Sequence, residues 1–340
     1  MLLTDLEFDL PEHLIAYEPP QERGNDRLLC LRKDSGQFSD HRFSELPNLL
    51  PHNALLVFNN SKVHKARLTG VSEAGTKVEF LLIREIQKNE WLCMVEKSKR
   101  QKIGRRYQFP AACSAEILRN ETDGLKIVRF SDMSMDYLET YGQIPLPPYI
   151  KREAVAEDNI RYQTIYARVM GSSAAPTAGL HFTQQMMQNL QEKGFESAFV
   201  TLHVGLGTFA PIRTDRIEDH VMHSEYYHID EETARQINAA RAQGRPIIPI
   251  GTTSCRTIES AFEEKTNTVQ PGGKDTRIFI YPGYHFRVAS GLFTNFHTPG
   301  STLLAMVCAL AGYQNIRTAY QHAIQQQYRF FSYGDSMLIL

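Results

Sequence analysis

From about Tyr162 to the C-terminus, apolar runs alternate with amphipathic segments, and small polar residues fill the joints between them. Thr183 to Lys193 has helical spacing and is followed by Gly194, a residue type that often ends helices. Ser197 to Val204 and Ile247 to Ile250 have the continuous apolar character of buried strands. This alternation is typical of an α/β domain, in which helices cover a central sheet.

Further elements continue the alternation. Glu231 to Gln243 is predicted as a helix with Asp230 as its N-cap, and Ser301 is predicted to cap a buried helix. Arg277 to Tyr281 is predicted as a strand. Three apolar residues recur at helical spacing and predict one more helix face: Cys255, Ile258 and Phe262. Pro249 removes a ladder hydrogen bond, so we expect its strand to be short, bulged or at an edge.

Between about Val63 and Phe130 the pattern changes to short apolar runs separated by turn signals. The runs are Val78 to Ile83, Trp91 to Val95, Ala115 to Leu118 and Leu125 to Phe130. Short strands at this spacing are typical of a small barrel or sandwich. We therefore expect a multidomain chain of mixed α/β class. Residues 63–143 would form an inserted all-β barrel, and residues 1–62 and 144–340 would form the larger α/β domain.

The overall charge excludes a chain that is basic throughout. Lys and Arg total 37, Asp and Glu total 38, and the net charge is −1. A nucleic-acid partner would therefore have to be met by a local patch. One stretch carries six cations and no acid: Lys97, Lys99, Arg100, Lys102, Arg105 and Arg106. Charges so dense indicate either an external anion, such as a nucleic-acid backbone, or a solvated loop.

Two features favour a cytoplasmic protein. The N-terminus is acidic where a signal peptide would be basic, and the longest apolar run, Leu303 to Ala311, is much shorter than the about 20 residues of a membrane span. The cysteines are odd in number and have no paired framework, as in a reducing compartment. We expect most of them to be core residues: Cys30, Cys93, Cys113, Cys255 and Cys308.

Two small-residue segments are candidate binding loops. Gly171 to Gly179 precedes His181 and a predicted helix, where exposed backbone N–H groups favour an anion; Thr177 and Gly179 are its candidate contacts. A flexible surface loop would have the same composition. The second segment ends a strand with His203, Gly205 and Gly207, and ligands gather at such strand ends in open α/β sheets. It is not a dinucleotide fingerprint, because the third glycine position holds Ala210.

Histidines supply candidates for acid–base chemistry. His220, His223 and Glu225 could bind zinc, although their spacing is unusual for a zinc site. Alternatively, His223 and Glu225 could transfer protons, or the segment could be a solvated loop. His297 lies on a turn before the buried helix and is either a catalytic or a structural histidine.

The strand at 247–250 runs directly into Gly251, Thr252 and Thr253, followed by Arg256. Hydroxyls and a glycine at a helix N-terminus predict an anion pocket, and Arg256 could bind a carboxylate through two hydrogen bonds. Ordinary N-capping would explain the hydroxyls but not the glycine and the arginine together.

Read together, these segments resemble the S-adenosylmethionine:tRNA ribosyltransferase-isomerase family of queuosine biosynthesis. The matching runs follow the family's order along the whole chain: Leu56–Asn59, Ala66–Leu68, Ile144–Ile150, Arg161–Thr164, Ala174–Phe182, Thr201–Gly205, Met222–Glu225, Gly251–Ser254, Arg256-Thr257, Ile278–Tyr284, Thr294–His297 and Tyr328–Asp335. The chain departs from the family's usual residues at positions 60 to 62, 160 and 300.

The resemblance implies the reaction. The ribosyl part of S-adenosylmethionine moves onto 7-aminomethyl-7-deazaguanine in a tRNA anticodon loop and is isomerised to an epoxycyclopentane ring, which gives epoxyqueuosine. Adenine and methionine leave. The resemblance also implies an enzyme without a metal, and S-adenosylmethionine is consumed as a substrate, so no cofactor is expected. An α/β domain carrying a β-barrel, no membrane partner and a monomeric, cytoplasmic enzyme are expected as well.

On this resemblance the candidate residues take roles. His203, His223 and Glu225 are candidates for the base that removes the acidic C5′ proton, and His297 and His181 for the acid that protonates adenine. Thr252, Thr253 and Arg256 suit the methionine carboxylate. The basic stretch at 97–106 would hold tRNA phosphates. Tyr162 or Phe182 could stack on a base, and Gln163 lies in the same matched run as Tyr162.

Two other interpretations compete with this one. A metal-dependent hydrolase would use His203, His220, His223 and Glu225, and its activity would depend on zinc. An RNA-binding module would bind tRNA without consuming S-adenosylmethionine. The number of pocket-like segments and the poor metal spacing argue against both.

Overall fold

The computed structural model describes residues 1–147, 149–150, 152–205 and 212–340. The strands in chain order are β1 (Arg27–Leu31), β2 (Phe38–Arg42), β3 (Leu55–Asn59), β4 (Ser61–Val63), β5 (Arg67–Ser72), β6 (Lys77–Gln87), β7 (Glu90–Val95), β8 (Arg106–Gln108), β9 (Ser114–Asn120), β10 (Lys126–Phe130), β11 (Val169–Ser172), β12 (Glu196–Leu202), β13 (Glu225–Ile229), β14 (Ile247–Ile250), β15 (Phe262–Glu263), β16 (Thr268–Val269), β17 (Gly272–Thr276), β18 (Leu292–Asn295) and β19 (Ser336–Ile339). The α-helices are α1 (Leu46–Leu49), α2 (Met135–Tyr141), α3 (Asp158–Arg161), α4 (Gln184–Glu192), α5 (Glu231–Ala242), α6 (Thr252–Ser260), α7 (Thr302–Ala311) and α8 (Tyr313–Gln325).

A nine-stranded mixed sheet forms the centre of the larger part, in the order β17-β13-β12-β3-β14-β18-β19-β1-β2. Strands β12, β3, β14 and β18 are mutually parallel, so their carboxyl ends meet at one edge, which we call the site edge. Strand β19 runs antiparallel to β18, and β1 runs parallel to β19, so their amino ends reach the same edge. This topology confirms the predicted α/β class.

The strand containing Pro249 is central, and of the three alternatives expected for it, short, bulged or at an edge, the short strand is confirmed. β14 lies between β3 and β18, and all four of its residues are buried. β14 has only four residues, and it pairs with β18 at one position, Ile250 with Phe293. The backbone N–H of Gly251 donates to the Phe293 carbonyl at 2.7 Å and continues the ladder beyond the proline.

Several predicted elements are confirmed. Thr183 caps α4 by accepting from the Met186 amide, and Asp230 and Ser301 cap α5 and α7 in the same way. Two predictions are wrong. Phe262 lies beyond α6, on β15, and the edge strand is Gly272–Thr276 rather than 277–281. The backbone of Ile278 bonds to side chains and not to a neighbouring strand. Its carbonyl accepts from Arg256 Nε, and its amide donates to Thr276 Oγ1.

The smaller part is a closed six-stranded barrel in the order β10-β7-β6-β5-β8-β9, with antiparallel neighbours. Phe80, Tyr107, Phe109 and Phe130 are among the aromatic residues of its core. The sequence patterns did not predict β5 and β8, because neither strand contains a continuous run of apolar residues. All six barrel strands fall within residues 63–143, and the exact domain boundaries stay a prediction.

The cysteines and the membrane prediction can be compared with the described residues. All five cysteines are buried and unpaired, as expected for core residues. In the described ranges, no helix combines the length and the apolar character that a membrane crossing requires.

Candidate active site

The segments singled out in the sequence converge at the site edge. His203 follows β12, Asn60 follows β3, Gly251 follows β14 and His297 follows β18 closely. Because these strands are parallel neighbours, residues far apart in the chain become neighbours in space. The site edge is therefore the candidate active site.

Asn59, at the end of β3, ties three elements together at this edge. Its Nδ2 donates to the Leu202 carbonyl at 3.0 Å and to Thr253 Oγ1 at 3.2 Å. Its Oδ1 accepts from the Leu202 amide at 3.0 Å and from the Ser61 amide at 3.1 Å. The side chain is fully buried. It fixes the spacing of β3, β12 and the start of α6, a role that the sequence did not indicate beyond its place in a matched run.

His203 presents an imidazole nitrogen without a hydrogen-bond partner in the described part of the chain. Its backbone amide donates to the Tyr226 carbonyl at 3.0 Å, and its ring stacks on Tyr226 with an interplanar angle of 15°. Its Nδ1 is buried and unpartnered. Burial lowers the pKa of His203 below the usual value of 6.5. The imidazole is therefore neutral at physiological pH and able to accept a proton.

Gly171, within β11, allows this strand to approach the ring of His203. A Cβ at position 171 would lie 2.8 Å from Cε1 of His203, and the φ angle of Gly171 is +138°. The next residue, Ser172, accepts from the Val204 amide through Oγ at 2.7 Å, and its carbonyl contacts His64 Nδ1 at 3.1 Å. The small-residue loop is thus anchored against the segment that carries His203.

Glu225 and Arg256 form a buried ion pair beside the same segment. Arg256 Nη1 donates to Glu225 Oε2, and both side chains are at most 4% exposed. Glu225 Oε1 also accepts from the Gly205 amide at 2.8 Å, and Arg256 Nε donates to the Ile278 carbonyl at 3.3 Å. Arg256 Nη2 has no partner among the described residues. Most of the guanidinium is therefore used within the protein, which leaves at most one edge of it for a substrate carboxylate.

The N-terminus of α6 lies at the site edge, as predicted. Gly251 precedes it with a φ angle of +91°, which favours glycine, and Thr252 and Thr253 are buried. The next hydroxyls serve the helix itself: Ser254 donates to the Ile250 carbonyl and Thr257 to the Thr253 carbonyl, each at 2.8 Å. The segment from Gly251 to Thr257 therefore places a helix N-terminus at the site edge. Its hydroxyls at Ser254 and Thr257 bond to backbone carbonyls of the preceding turn.

His181 belongs to a buried polar chain. Its Nδ1 lies 2.8 Å from Asp26 Oδ2, and its Nε2 lies 3.0 Å from Asn295 Nδ2. Arg329 contacts the other oxygen of Asp26 at 3.4 Å. Asp26 is a carboxylate and therefore accepts from Nδ1. Nε2 faces the Asn295 side-chain amide, which accepts from Nε2 when the amide is turned to present its Oδ1, an atom with no partner among the described residues. Sequence reasoning found His181 but missed Asp26, which lies 155 residues away from it in the chain.

His297 has the environment of a structural histidine. Its Nε2 lies 2.9 Å from Thr294 Oγ1, and its backbone amide donates to the Tyr320 hydroxyl at 2.9 Å. Burial lowers the pKa of His297 to about 3. An imidazole with so low a pKa carries no extra proton at physiological pH, which argues against it as the acid.

Several other predicted site residues are buried or are engaged in hydrogen bonds within the protein. Tyr162 and Phe182 are fully buried, so neither ring is open for a base to stack on it. Gln163 binds both backbone groups of Val63, at 2.7 and 3.1 Å. A Cβ on Gly179 would lie 2.1 Å from the Tyr166 hydroxyl, so this glycine is required by packing. Thr177 opens the short 3-10 helix Thr177–His181 and is half-buried, while Gly207 lies outside the described residues.

His220, one of the proposed zinc ligands, and the basic stretch of the barrel both make contacts within the protein. Within the described ranges, no group of three or more His, Cys, Asp or Glu side chains is arranged to hold a metal ion. His220 packs edge-on against Phe279. In the basic stretch of the barrel, Lys97 pairs with Glu96 at 2.8 Å and Arg106 with Glu116 at 3.3 Å.

Comparison with known proteins gives consistent results. Residues 3–339 match the family described as "Queuosine biosynthesis protein". The chain is 50% identical over 347 residues to the S-adenosylmethionine:tRNA ribosyltransferase-isomerase of Treponema denticola, and the match covers 100% of both chains. It also resembles the crystal structure of the S-adenosylmethionine tRNA ribosyltransferase from Thermotoga maritima, with a TM-score of 0.56 and 31% identity over 99% of this chain and 100% of that chain.

Proposed function

This chain belongs to the queuosine biosynthesis family of S-adenosylmethionine:tRNA ribosyltransferase-isomerases, and from this premise we propose that its chemistry takes place at the site edge. The enzyme transfers the ribosyl moiety of S-adenosylmethionine and isomerises it, in queuosine biosynthesis. We infer that the acceptor is 7-aminomethyl-7-deazaguanine in the anticodon loop and that the product is epoxyqueuosine in tRNA. Adenine and methionine are the leaving groups.

This reaction needs a base and an acid. The positive sulfonium makes the neighbouring C5′ hydrogen of the ribose acidic, so a base can remove it. Adenine departs more readily when it is protonated, so an acid assists its release. The base must reach the C5′ hydrogen of the ribose and the acid must reach a ring nitrogen of adenine, so both must contact the same bound S-adenosylmethionine.

His203 is the base in this proposal. The observation that carries the assignment is its partnerless Nδ1 at the site edge, on a ring that burial keeps neutral. The alternatives are less suitable. Glu225 is engaged by Arg256 and by the Gly205 amide. His223 lies in the segment that leads into β13, and its contribution is secondary in this proposal.

His181 is the acid in this proposal, and Asp26 is its positioning residue. Asp26 accepts from Nδ1 and so orients the ring of His181, and the proton delivered to adenine would leave from Nε2. His181 lines a cavity of only about 10 Å³ with Arg23, Arg161 and Tyr333, so this proposal requires these side chains to move apart when the substrate binds. His297 is assigned a structural role, because its pKa of about 3 leaves it neutral.

The methionine carboxylate would bind at the N-terminus of α6. Gly251, Thr252 and Thr253 offer the first turn of that helix, whose free N–H groups favour an anion. The partnerless Nη2 of Arg256 could add one charged hydrogen bond. The main role of Arg256 is then to hold Glu225, which in turn holds the Gly205 amide beside His203.

The tRNA would be bound in part by the basic stretch of the barrel: Lys97, Lys99, Arg100, Lys102, Arg105 and Arg106. All of these except the half-buried Arg105 are exposed, so a nucleic-acid backbone can reach them. Because its substrate is tRNA, we infer a cytoplasmic enzyme. We also infer that it acts as a monomer, since one chain supplies every group assigned above.

The test is the release of adenine. The purified protein is incubated with S-adenosylmethionine and with tRNA that carries the aminomethyl-deazaguanine, in the presence of a chelator. We expect free adenine together with a mass gain on the modified nucleoside. Activity that the chelator abolishes and zinc restores would favour a metal-dependent enzyme instead. Binding of tRNA without adenine release would favour an RNA-binding module.

A further inference from the structure

A groove of about 750 Å³ opens at one end of the barrel, where β7 and β9 end and β10 begins. Five cations line it: Lys97, Lys99, Arg100, Lys102 and Lys126. Among the lining residues that the structure describes, none is acidic and none is aromatic. The groove therefore combines concentrated positive charge with a wall that offers no ring for base stacking.

Lys126 forms the floor of this groove and was not part of the basic stretch in the sequence. It starts β10, and its side chain points the same way as Val128 and Phe130, which lie in the barrel core. Lys126 is only 3% exposed. Its Nζ donates to Asn120 Oδ1 at 2.6 Å, and no described carboxylate lies within 4.0 Å of it. The barrel therefore buries an ammonium group against a neutral amide.

Such a burial is unfavourable for the isolated protein. An ammonium group loses its hydration on burial, and a neutral amide replaces only part of that stabilisation. Burial, with the charge of Lys102 as a second cause, lowers the pKa of Lys126. An apolar side chain would suit the end of the barrel core better if its role were packing alone. An anion in the groove would offset both the lost hydration and the repulsion among the cations.

We propose that this groove binds phosphate groups of the tRNA backbone, with Lys126 as the central contact and Lys99, Arg100 and Lys102 at the rim. The proposal rests on the proposed function, in which tRNA is the substrate. The absence of aromatic lining residues in the described part of the groove favours backbone contacts over base contacts. The barrel would then bind the tRNA backbone independently of sequence, while the site edge binds the base that is modified.

The experiment compares Lys126→Met with Lys88→Met in steady-state assays of adenine release. Lys88 is exposed in the turn before β7, at the opposite end of that strand from the groove, so it is a matched lysine control. For Lys126→Met we expect the KM for tRNA to rise about tenfold and the slope of log KM against log salt to fall by about one. The KM for S-adenosylmethionine should change far less than the KM for tRNA.

Thermal unfolding separates a binding role from a structural one. If Lys126 serves tRNA, Lys126→Met should fold with an equal or higher Tm, because an unpaired buried charge is removed. A lower Tm with an unchanged tRNA salt slope would show that Lys126 is structural and would overturn the proposal. Lys102→Gln and Lys99→Gln, both exposed, cover the case in which Lys126→Met does not fold.

These rim variants should each raise the KM for tRNA severalfold and lower its salt slope. The proposal fails if they and Lys126→Met match Lys88→Met within twofold in an enzyme that turns over normally. A wild-type protein that releases no adenine with any tRNA would instead contradict the proposed function. The two failures are therefore distinguishable.

Discussion

Asp26 Oδ2 lies 2.8 Å from Nδ1 of His181, although 155 residues separate the two in the chain. Asp26 directly precedes β1, and His181 ends the small-residue loop that follows β11. The pair forms because the amino end of β1 reaches the same sheet edge as this loop. Both side chains are at most 3% exposed, so little water competes for their hydrogen bond.

We expect Asp26→Asn to lower kcat by about 10²-fold or more, because a neutral amide accepts from Nδ1 less strongly than a carboxylate and so no longer fixes the ring of His181. The pH profile of kcat should change along with its magnitude. Asp40→Asn is the matched control, since it removes the surface contact of 2.9 Å between Asp40 and His322 and should leave kcat intact. A loss of stability with an unchanged pH profile would assign Asp26 a structural role.

His203→Gln should reduce turnover by at least about 10²-fold, the usual contribution of a general base. In the wild type, burial lowers the pKa of His203 below 6.5. The basic form is therefore present at pH 7, and activity should fall only as the pH drops below 6.5 through the lowered pKa. The fall in activity below pH 6.5, the acidic limb of the pH profile, should be absent from His203→Gln. His228→Gln, an exposed position on β13, should keep both the rate and the limb.

Gly171→Ala should impair activity by displacing the ring of His203. The added Cβ would lie 2.8 Å from Cε1 of that ring, too close for any real contact. Gly75→Ala is a control for the backbone alone, because Gly75 also has a positive φ angle, +76°, but has nothing within 4 Å of its added Cβ. We expect Gly75→Ala to cost about 1 kcal/mol of stability and no activity. Equal activity in the two variants would contradict the close approach.

The pair Glu225–Arg256 should behave as a buried ion pair. Glu225→Gln leaves the guanidinium of Arg256 without its charged partner, and we expect a loss of about 3–5 kcal/mol in the free energy of unfolding. The double variant Glu225→Gln/Arg256→Met should lose less than the sum of the two single variants. Urea titrations measure all of these values.

Glu232→Gln breaks the exposed pair with Arg235 and should cost less than about 1 kcal/mol. Additive losses in the Glu225 and Arg256 variants would show that the two side chains act independently. That result would remove the support that we assign to the Gly205 amide.

His297 should affect stability rather than the chemical step. Its folded-state pKa of about 3 lies below the usual 6.5, so the unfolded chain binds the proton first as the pH falls. Stability is therefore lost from pH 6.5 downward, at about 1.4 kcal/mol per pH unit, or about 2 kcal/mol by pH 5. His297→Gln should lack this contribution to the pH dependence. An acid limb of kcat that vanishes in this variant would restore His297 as a catalytic candidate.

Local patterns explain which elements were predictable. The helices α4, α5 and α7 follow from caps and spacing within about a dozen residues, and the barrel follows from short runs with turn signals between them. The strand predicted at 277–281 failed, because its backbone is used by Arg256 and Thr276, contacts that no local pattern contains.

The sequence by itself determined the α/β class with its barrel, the family, and the segments that meet at the site edge, since these depend on residues close together in the chain. Only the tertiary structure decided which partner each side chain has. It pairs His181 with Asp26, engages Arg256 with Glu225, buries His297 until it is neutral, and places Lys126 under the basic stretch. The physical reason is that hydrogen bonds, ion pairs and burial depend on strand order and register, which bring together residues separated by tens to hundreds of positions.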